Sequence, residues 1–199
     1  MAELPPDSGA PVSAKDNPYA TVYLERIPFR FPSGMTWELL MQRLQSMQWC
    51  ASIVGGHGRG KTTLLEQLLP RLKQQGFDPR TFVLRTESTN AEKDVLTEQL
   101  RAVEKPGLIV LDGAEQLSTA RWLGVRSAAS KAAGFLITVH RTSRLPVVLN
   151  LESNVSLLKS LVEELTGGSL PAGEAHAIFQ RHYGNLRDCF RELYDRYAG

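Results

Sequence analysis

The sequence holds no run approaching the roughly 18 consecutive apolar residues of a membrane-spanning helix, so no span is expected in its 199 residues. It holds only two cysteines, Cys50 and Cys189. They stand far apart without metal-ligand spacing, which excludes a disulfide framework or a zinc cluster, and both read as small core residues of a protein in the reducing cytoplasm. Residues 1–18 lack the apolar segment of a secretion signal and carry Pro5, Pro6, Pro11 and Pro18 instead, so they read as a flexible tail. Acidic residues are absent between Gln116 and Leu151, a stretch containing Arg121, Arg126, Lys131, Arg141 and Arg144. A positive face is expected there, although the whole chain carries a net charge of only +2. No internal repeat is visible.

With 42% hydrophobic residues, the chain is long enough for one domain with a substantial core and a small appendage. Its most informative stretch is Gly-Gly-His-Gly-Arg-Gly-Lys-Thr, from Gly55 to Thr62. This fits the phosphate-loop (Walker A) pattern of Gly, four residues, then Gly-Lys-Ser/Thr. By average residue usage, the four fixed positions arise by chance in about one chain in a hundred of this length, so an ordinary glycine turn is the minority reading. Gly55, Gly56, Gly58 and Gly60 let backbone N–H groups approach phosphate oxygens closely, with His57 and Arg59 in the variable positions. Lys61 can reach the β- and γ-phosphates, Thr62 stands where such loops hold Mg²⁺, and Thr63 continues into the helix whose N-terminus faces the anion.

Context agrees. The loop follows an apolar run, Trp49 to Val54, and opens a helical pattern of Leu64, Leu65, Leu68, Leu69 and Leu72, with a bend expected at Pro70 and an end near Gly76. Further buried strands are expected at Thr81 to Arg85, Leu108 to Asp112, Phe135 to Val139 and Pro146 to Leu149, with helices over 91–104 and 118–132 between them. Such alternation predicts an α/β fold, a parallel sheet with helices on both faces and ligands at the strand carboxyl ends. Before the loop, Tyr19 to Phe31 reads as an extended arm, followed by a helix through Trp37, Leu40, Met41, Leu44 and Met47. Helices over Leu157 to Leu165, over 172–183 and over Leu186 to Tyr197 complete the chain. The organisation expected is a tail over 1–18, a nucleotide-binding core with its arm over 19–150, and a helical lid-like extension over 151–199.

Asp112 ends the apolar run Leu108-Ile109-Val110-Leu111 about fifty residues after the loop, as a Walker B carboxylate would, where it can orient the shell of a Mg²⁺ ion. With both motifs in place, the chain resembles the P-loop NTPases of the AAA+ and related ATPase group, from Trp49 to Tyr197. The resemblance implies ATP and Mg²⁺ as ligands. It implies a γ-phosphate sensor among Thr138, His140 and Thr142, and it implies a nucleotide-reporting Arg187 within Tyr183-Gly184-Asn185-Leu186-Arg187, which is similar to the Gly-Asn-x-Arg opening a lid helix in bacterial AAA+ activators.

The family pattern places a water-polarising Glu directly after the metal-associated Asp, and this chain has Gly113 there. Glu115 and Glu87 are the two candidates to replace it. Three functions therefore stand at the sequence level. They are a Mg²⁺-dependent ATPase acting as a nucleotide-controlled switch, a small ATP-dependent phosphotransferase suggested by Leu111-Asp112-Gly113, and a nucleotide-binding adaptor that does not hydrolyse. A protein partner is expected. DNA is not favoured, because the basic stretch lacks an aromatic-basic array. Only about fifty residues follow Leu149, a short lid from which no oligomeric state can be read.

Overall fold

The computed structural model describes residues 16–198, so the expected tail falls almost wholly outside the described residues. Among the described residues are five strands: β1 (Cys50–Gly55), β2 (Asp78–Val83), β3 (Gly107–Asp112), β4 (Gly134–Val139) and β5 (Val147–Leu151). The helices are α1 (Thr21–Leu24), α2 (Trp37–Ser46), α3 (Lys61–Gln74), α4 (Asn90–Arg101), α5 (Thr119–Ala128), α6 (Val155–Thr166), α7 (Ala172–Arg181) and α8 (Leu186–Ala198). The chain separates into two compact units, one of residues 29–56 and 60–151, the other of residues 16–28, 57–59 and 152–198.

The larger unit is a five-stranded sheet in the order β2-β3-β4-β1-β5, with every pairing parallel. Successive side chains of a strand point to opposite faces, and β3 uses both. Leu108 and Val110 pack with Leu40 and Leu44 of α2 and Leu64, Leu68 and Leu72 of α3. Ile109 and Leu111 pack with Leu96 and Leu100 of α4 and Trp122 and Val125 of α5. All four strand residues are fully buried, worth about 1.5–3 kcal/mol each relative to exposure. An unbroken apolar run is what a strand covered on both sides requires, and this is why the sequence pattern located β3 and β4 so well.

Two expectations change. The second strand spans Asp78–Val83 rather than 81–85 and is not buried. It pairs only with β3 and forms the sheet edge, so Arg80 and Val83 face outward. Finally, the arm is not one extended segment. Thr21–Leu24 makes a helical turn, Asn17 donates from Nδ2 to the Tyr194 carbonyl at 2.9 Å, and Tyr19 packs on Phe190 and Tyr197 with ring centroids 6.4 and 6.1 Å away. Phe29 and Phe31 instead belong to the larger unit, edge to face at 5.0 Å.

In the smaller unit the apolar stripe of α8, Leu186, Cys189, Phe190 and Leu193, is buried against Leu158 and Val162 of α6 and Ile178 of α7. Burial, followed by the nearby Glu192 and Asp188 carboxylates, pushes the Cys189 thiol up to about 11, so it is an inert core thiol. Cys50 is only partly buried. Gly167 ends α6 in the left-handed conformation, as the Gly167-Gly168 pair implied. No helix among the described residues is long and apolar enough to cross a membrane.

Candidate nucleotide site

β1 delivers the chain to Gly55, and α3 begins six residues later at Lys61. Strand, loop and helix thus occur in the order the motif demands. Gly55 lies so close to β5 that a Cβ there would come within 2.8 Å of the Leu151 Cβ. Four other helices, α2, α4, α5 and α6, have their first-turn N–H groups capped by Thr36, Thr89, Ser118 and Asn154. Gly60, in the left-handed conformation, offers α3 no side-chain cap. The first-turn N–H groups of this helix therefore have no acceptor from a capping side chain. Lys61 donates from Nζ to the carbonyls of Gly55 and Gly56 at 2.6 and 2.9 Å, which keeps its charge over the start of the loop. Thr62 and His57 are exposed, while Gly56, Arg59 and Thr63 are half-buried.

The middle of the loop, residues 57–59, belongs to the smaller unit. Gly58 adopts φ +64°, and a Cβ there would lie 1.6 Å from Asn185 Oδ1 and 3.0 Å from the Arg187 backbone nitrogen. Asn185 Oδ1 also accepts from the Arg187 N–H at 3.1 Å, capping α8. The sequence-predicted residue Arg187, second in α8, therefore has its backbone directly against Gly58 and its side chain exposed. Only a residue without a side chain fits between the loop and this cap.

Asp112 ends β3, and β4 lies between β3 and the loop strand. The residue that links them is Thr138, a fully buried hydroxyl in an otherwise apolar strand. It donates to Asp112 Oδ1 and accepts from the Gly113 N–H at 3.2 Å. Thr138 was one of three sensor candidates. His140 and Thr142 lie beyond the strand end, and Thr142 is exposed. Thr138→Val is expected to leave the Gly113 N–H buried without an acceptor and to cost about 1–3 kcal/mol, measured by urea unfolding against wild type. An unchanged midpoint would mean that the hydroxyl holds nothing.

Gly113 has φ +83°, and a Cβ on it would lie 2.1 Å from the Leu84 carbonyl oxygen just past β2. The Leu84 N–H donates to the Asp112 carbonyl at 2.8 Å, which holds the two segments together. No glutamate can stand at 113 on this backbone. Glu115 follows in a 3₁₀ turn, Ala114–Gln116. Its Oε1 lies 3.1 Å from His140 Nδ1, and its Oε2 is buried without a hydrogen-bond partner. Both groups line a cavity of about 480 Å³ together with Trp122, Arg141, Thr142 and Arg144. The second candidate, Glu87, is exposed in the loop after β2.

The acid-free stretch is less positive than its composition implied. Arg121 pairs with Asp94 of α4 at 2.5 Å, Lys131 with Glu104 at 2.9 Å, and Arg144 donates to the Leu117 carbonyl at 3.1 Å. Acids from outside the stretch offset its charge.

Thr62 and Asp112 provide hard oxygen donors suited to Mg²⁺. Among the described residues, no three His, Cys, Asp or Glu side chains converge to hold a metal unaided. A cation here fits as one shared with phosphate oxygens and water.

No protein-family model matches the sequence, and no curated protein matches it. Among solved structures, RuvB of Thermotoga maritima is similar with a TM-score of 0.54 at 17% identity, over 78% of this chain and 58% of that one. A replication initiator DnaA bound to AMPPCP and single-stranded DNA gives 0.54 at 13%, over 85% and 62%. AMPPCP-bound DnaA of Aquifex aeolicus gives 0.50 at 16%, over 81% and 61%. The chain spans less than two thirds of the length of each. At these identities the likeness is one of architecture, and together with the parallel sheet and the loop between β1 and α3 it identifies the fold as that of an AAA+-like P-loop NTPase.

Proposed function

We propose that the chain binds ATP with Mg²⁺ and hydrolyses it slowly, acting as a nucleotide-controlled switch. The observation that carries this reading is the loop itself, an uncapped helix N-terminus beginning at a lysine whose ammonium lies over Gly55 and Gly56. The AMPPCP bound to DnaA, which shares the fold, supports a nucleotide as the ligand.

The backbone from Gly55 to Gly60, with His57 and Arg59 in its variable positions, cradles the phosphates, and Thr63 extends the first turn of the helix that faces them. Lys61 neutralises charge on the β- and γ-phosphates. Thr62 and Asp112 would hold Mg²⁺, which would supply neutralisation of the phosphate charge. Thr138 fixes the Asp112 carboxylate in place. Glu115 accepts the proton of the attacking water. Arg187, whose backbone lies against Gly58, carries the state of the loop to α8 and from there to a protein partner. Residues 19–150 form the nucleotide-binding core and 151–199 the lid.

A second reading, a nucleotide-dependent adaptor without turnover, is favoured by Gly113, since the residue that normally activates water is sterically barred from its usual place. Calorimetric titration with Mg-ATP, run beside phosphate release under single-turnover conditions, decides between them. Saturable binding with release supports the ATPase, binding without release supports the adaptor, and absence of binding overturns both.

A further inference from the structure

His140 has no role in the reading above, yet its imidazole lies against the Glu115 carboxylate. The last register pair between the loop strand and β4 is Val54 with Val139. His140 is the next residue, and so stands abreast of Gly55, the first residue of the phosphate loop. The Glu115 side chain is 22% exposed and that of His140 27%, so their 3.1 Å contact is largely shielded from solvent. An ionised carboxylate only accepts hydrogen bonds, which puts the proton of this contact on Nδ1. The two carboxylate oxygens thereby differ. Oε1 is held by the imidazole, while Oε2 is buried, has no hydrogen-bond partner and belongs to a side chain lining the 480 Å³ cavity. An unsatisfied buried acceptor costs about 1–3 kcal/mol, and a cavity of this size, with His140, Thr142 and two arginines among its lining side chains, has room for a water to satisfy it.

We infer that His140 is the positioning residue for Glu115 in ATP hydrolysis, orienting Oε1 so that Oε2 takes the proton from the attacking water. The inference rests on the ATPase reading. In the step, the water oxygen bonds to the γ-phosphorus, and the bond from that phosphorus to the β,γ-bridging oxygen breaks. The bridging oxygen leaves on ADP with the electron pair. One water proton goes to Glu115 Oε2 and then to solvent, and inorganic phosphate departs. A general base held by a third group is a recurrent arrangement, because an unrestrained carboxylate spends most of its time in unproductive rotamers. It also accounts for Glu115 standing two residues past the sterically closed position 113, with a support that a glutamate at 113 would not need.

The test measures kcat and KM for Mg-ATP in wild type, His140→Ala, His140→Asn, Glu115→Gln and the Glu115→Gln/His140→Ala pair. His140→Ala is expected to lower kcat roughly 10- to 100-fold with KM nearly unchanged. His140→Asn, whose amide can donate to Oε1, recovers much of the loss. The double variant is no slower than Glu115→Gln, because the two residues act as a unit. Independently of turnover, two-bond ¹H–¹⁵N spectra of the unliganded protein are expected to show the His140 Nδ1 proton and to lose it in Glu115→Ala. A wild-type kcat in His140→Ala, multiplicative losses in the double variant, or an Nδ1 without a proton overturns the assignment. Mg-ATP binding without phosphate release overturns it too while leaving the nucleotide site standing, and absence of Mg-ATP binding removes the reading beneath it.

Discussion

Lys61→Ala is expected to weaken Mg-ATP binding by about two orders of magnitude, since a charge-assisted hydrogen bond to phosphate contributes roughly 1.5–3 kcal/mol and the lysine can make more than one. In the structure the ammonium is held by the Gly55 and Gly56 carbonyls. The substitution therefore removes both the charge and two bonds that shape the start of the loop. Lys61→Arg separates these effects. It keeps the charge, but a planar guanidinium does not reproduce a compact ammonium inside a tight loop, so intermediate affinity is expected. Isothermal titration with Mg-ATP measures both. Lys61 is only half-buried, and the thermal midpoint of the unliganded variant should stay within a few degrees of wild type, which keeps lost binding distinct from lost folding. An affinity equal to wild type in Lys61→Ala would place the nucleotide elsewhere or remove it from the function altogether.

The parts of the molecule legible in the sequence are those where one physical requirement dominates. A strand buried on both faces has to be apolar throughout, and Leu108 to Leu111 and Phe135 to Val139 announced β3 and β4. A helix buried on one face repeats its leucines, and α3 and α8 followed their stripes. A phosphate loop needs its glycines and lysine at fixed spacing between a strand and a helix, and the stretch so spaced does join β1 to α3. Edge strand β2 was misjudged as buried because Thr81 to Arg85 looks apolar in part, and nothing local says that a strand has only one neighbour. The arm was misread for a similar reason. Tyr19 and Phe29 look alike in sequence, yet Tyr19 packs on Phe190, more than 150 residues downstream, and Phe29 packs on Phe31 and Trp37 nearby.

The polar pairings were the least legible. Thr138 stood among the sensor candidates, but a threonine inside an apolar strand does not announce its partners, and that it serves both Asp112 and the Gly113 N–H emerged only when β3 and β4 lay side by side. The contact between Gly58 and Asn185 joins positions over 120 residues apart. One signal was available. Gly58 is not among the fixed positions of the loop motif, so a glycine there called for a reason of its own.

Gly113→Glu produces the order of the AAA+ pattern that the chain resembles, Asp followed directly by Glu, and on the motif alone it would be the obvious route to faster turnover under the proposed ATPase reading. The opposite is expected. At φ +83° a side chain is strained, and its Cβ would lie 2.1 Å from the Leu84 carbonyl oxygen, a backbone atom that cannot rotate away. The Leu84 N–H to Asp112 carbonyl bond and the Gly113 N–H to Thr138 bond hold the backbone on either side. Relief therefore requires separating β3 from the segment after β2. Left-handed strain and overpacking together cost about 2–4 kcal/mol, or roughly 5–15 °C in the thermal midpoint of a chain this size. Gly113→Ala should lose nearly as much, since the clash begins at Cβ. Gly124→Ala is the control, because Gly124 lies within α5 with nothing near its Cβ position, and alanine there should stabilise by about 0.5–1 kcal/mol. Turnover should fall along with stability in Gly113→Glu, because displacing Asp112 moves a residue proposed to hold the metal. A stable and faster Gly113→Glu would mean that the backbone at 113 is more accommodating than its contacts require, and that the general base belongs at 113 rather than at Glu115.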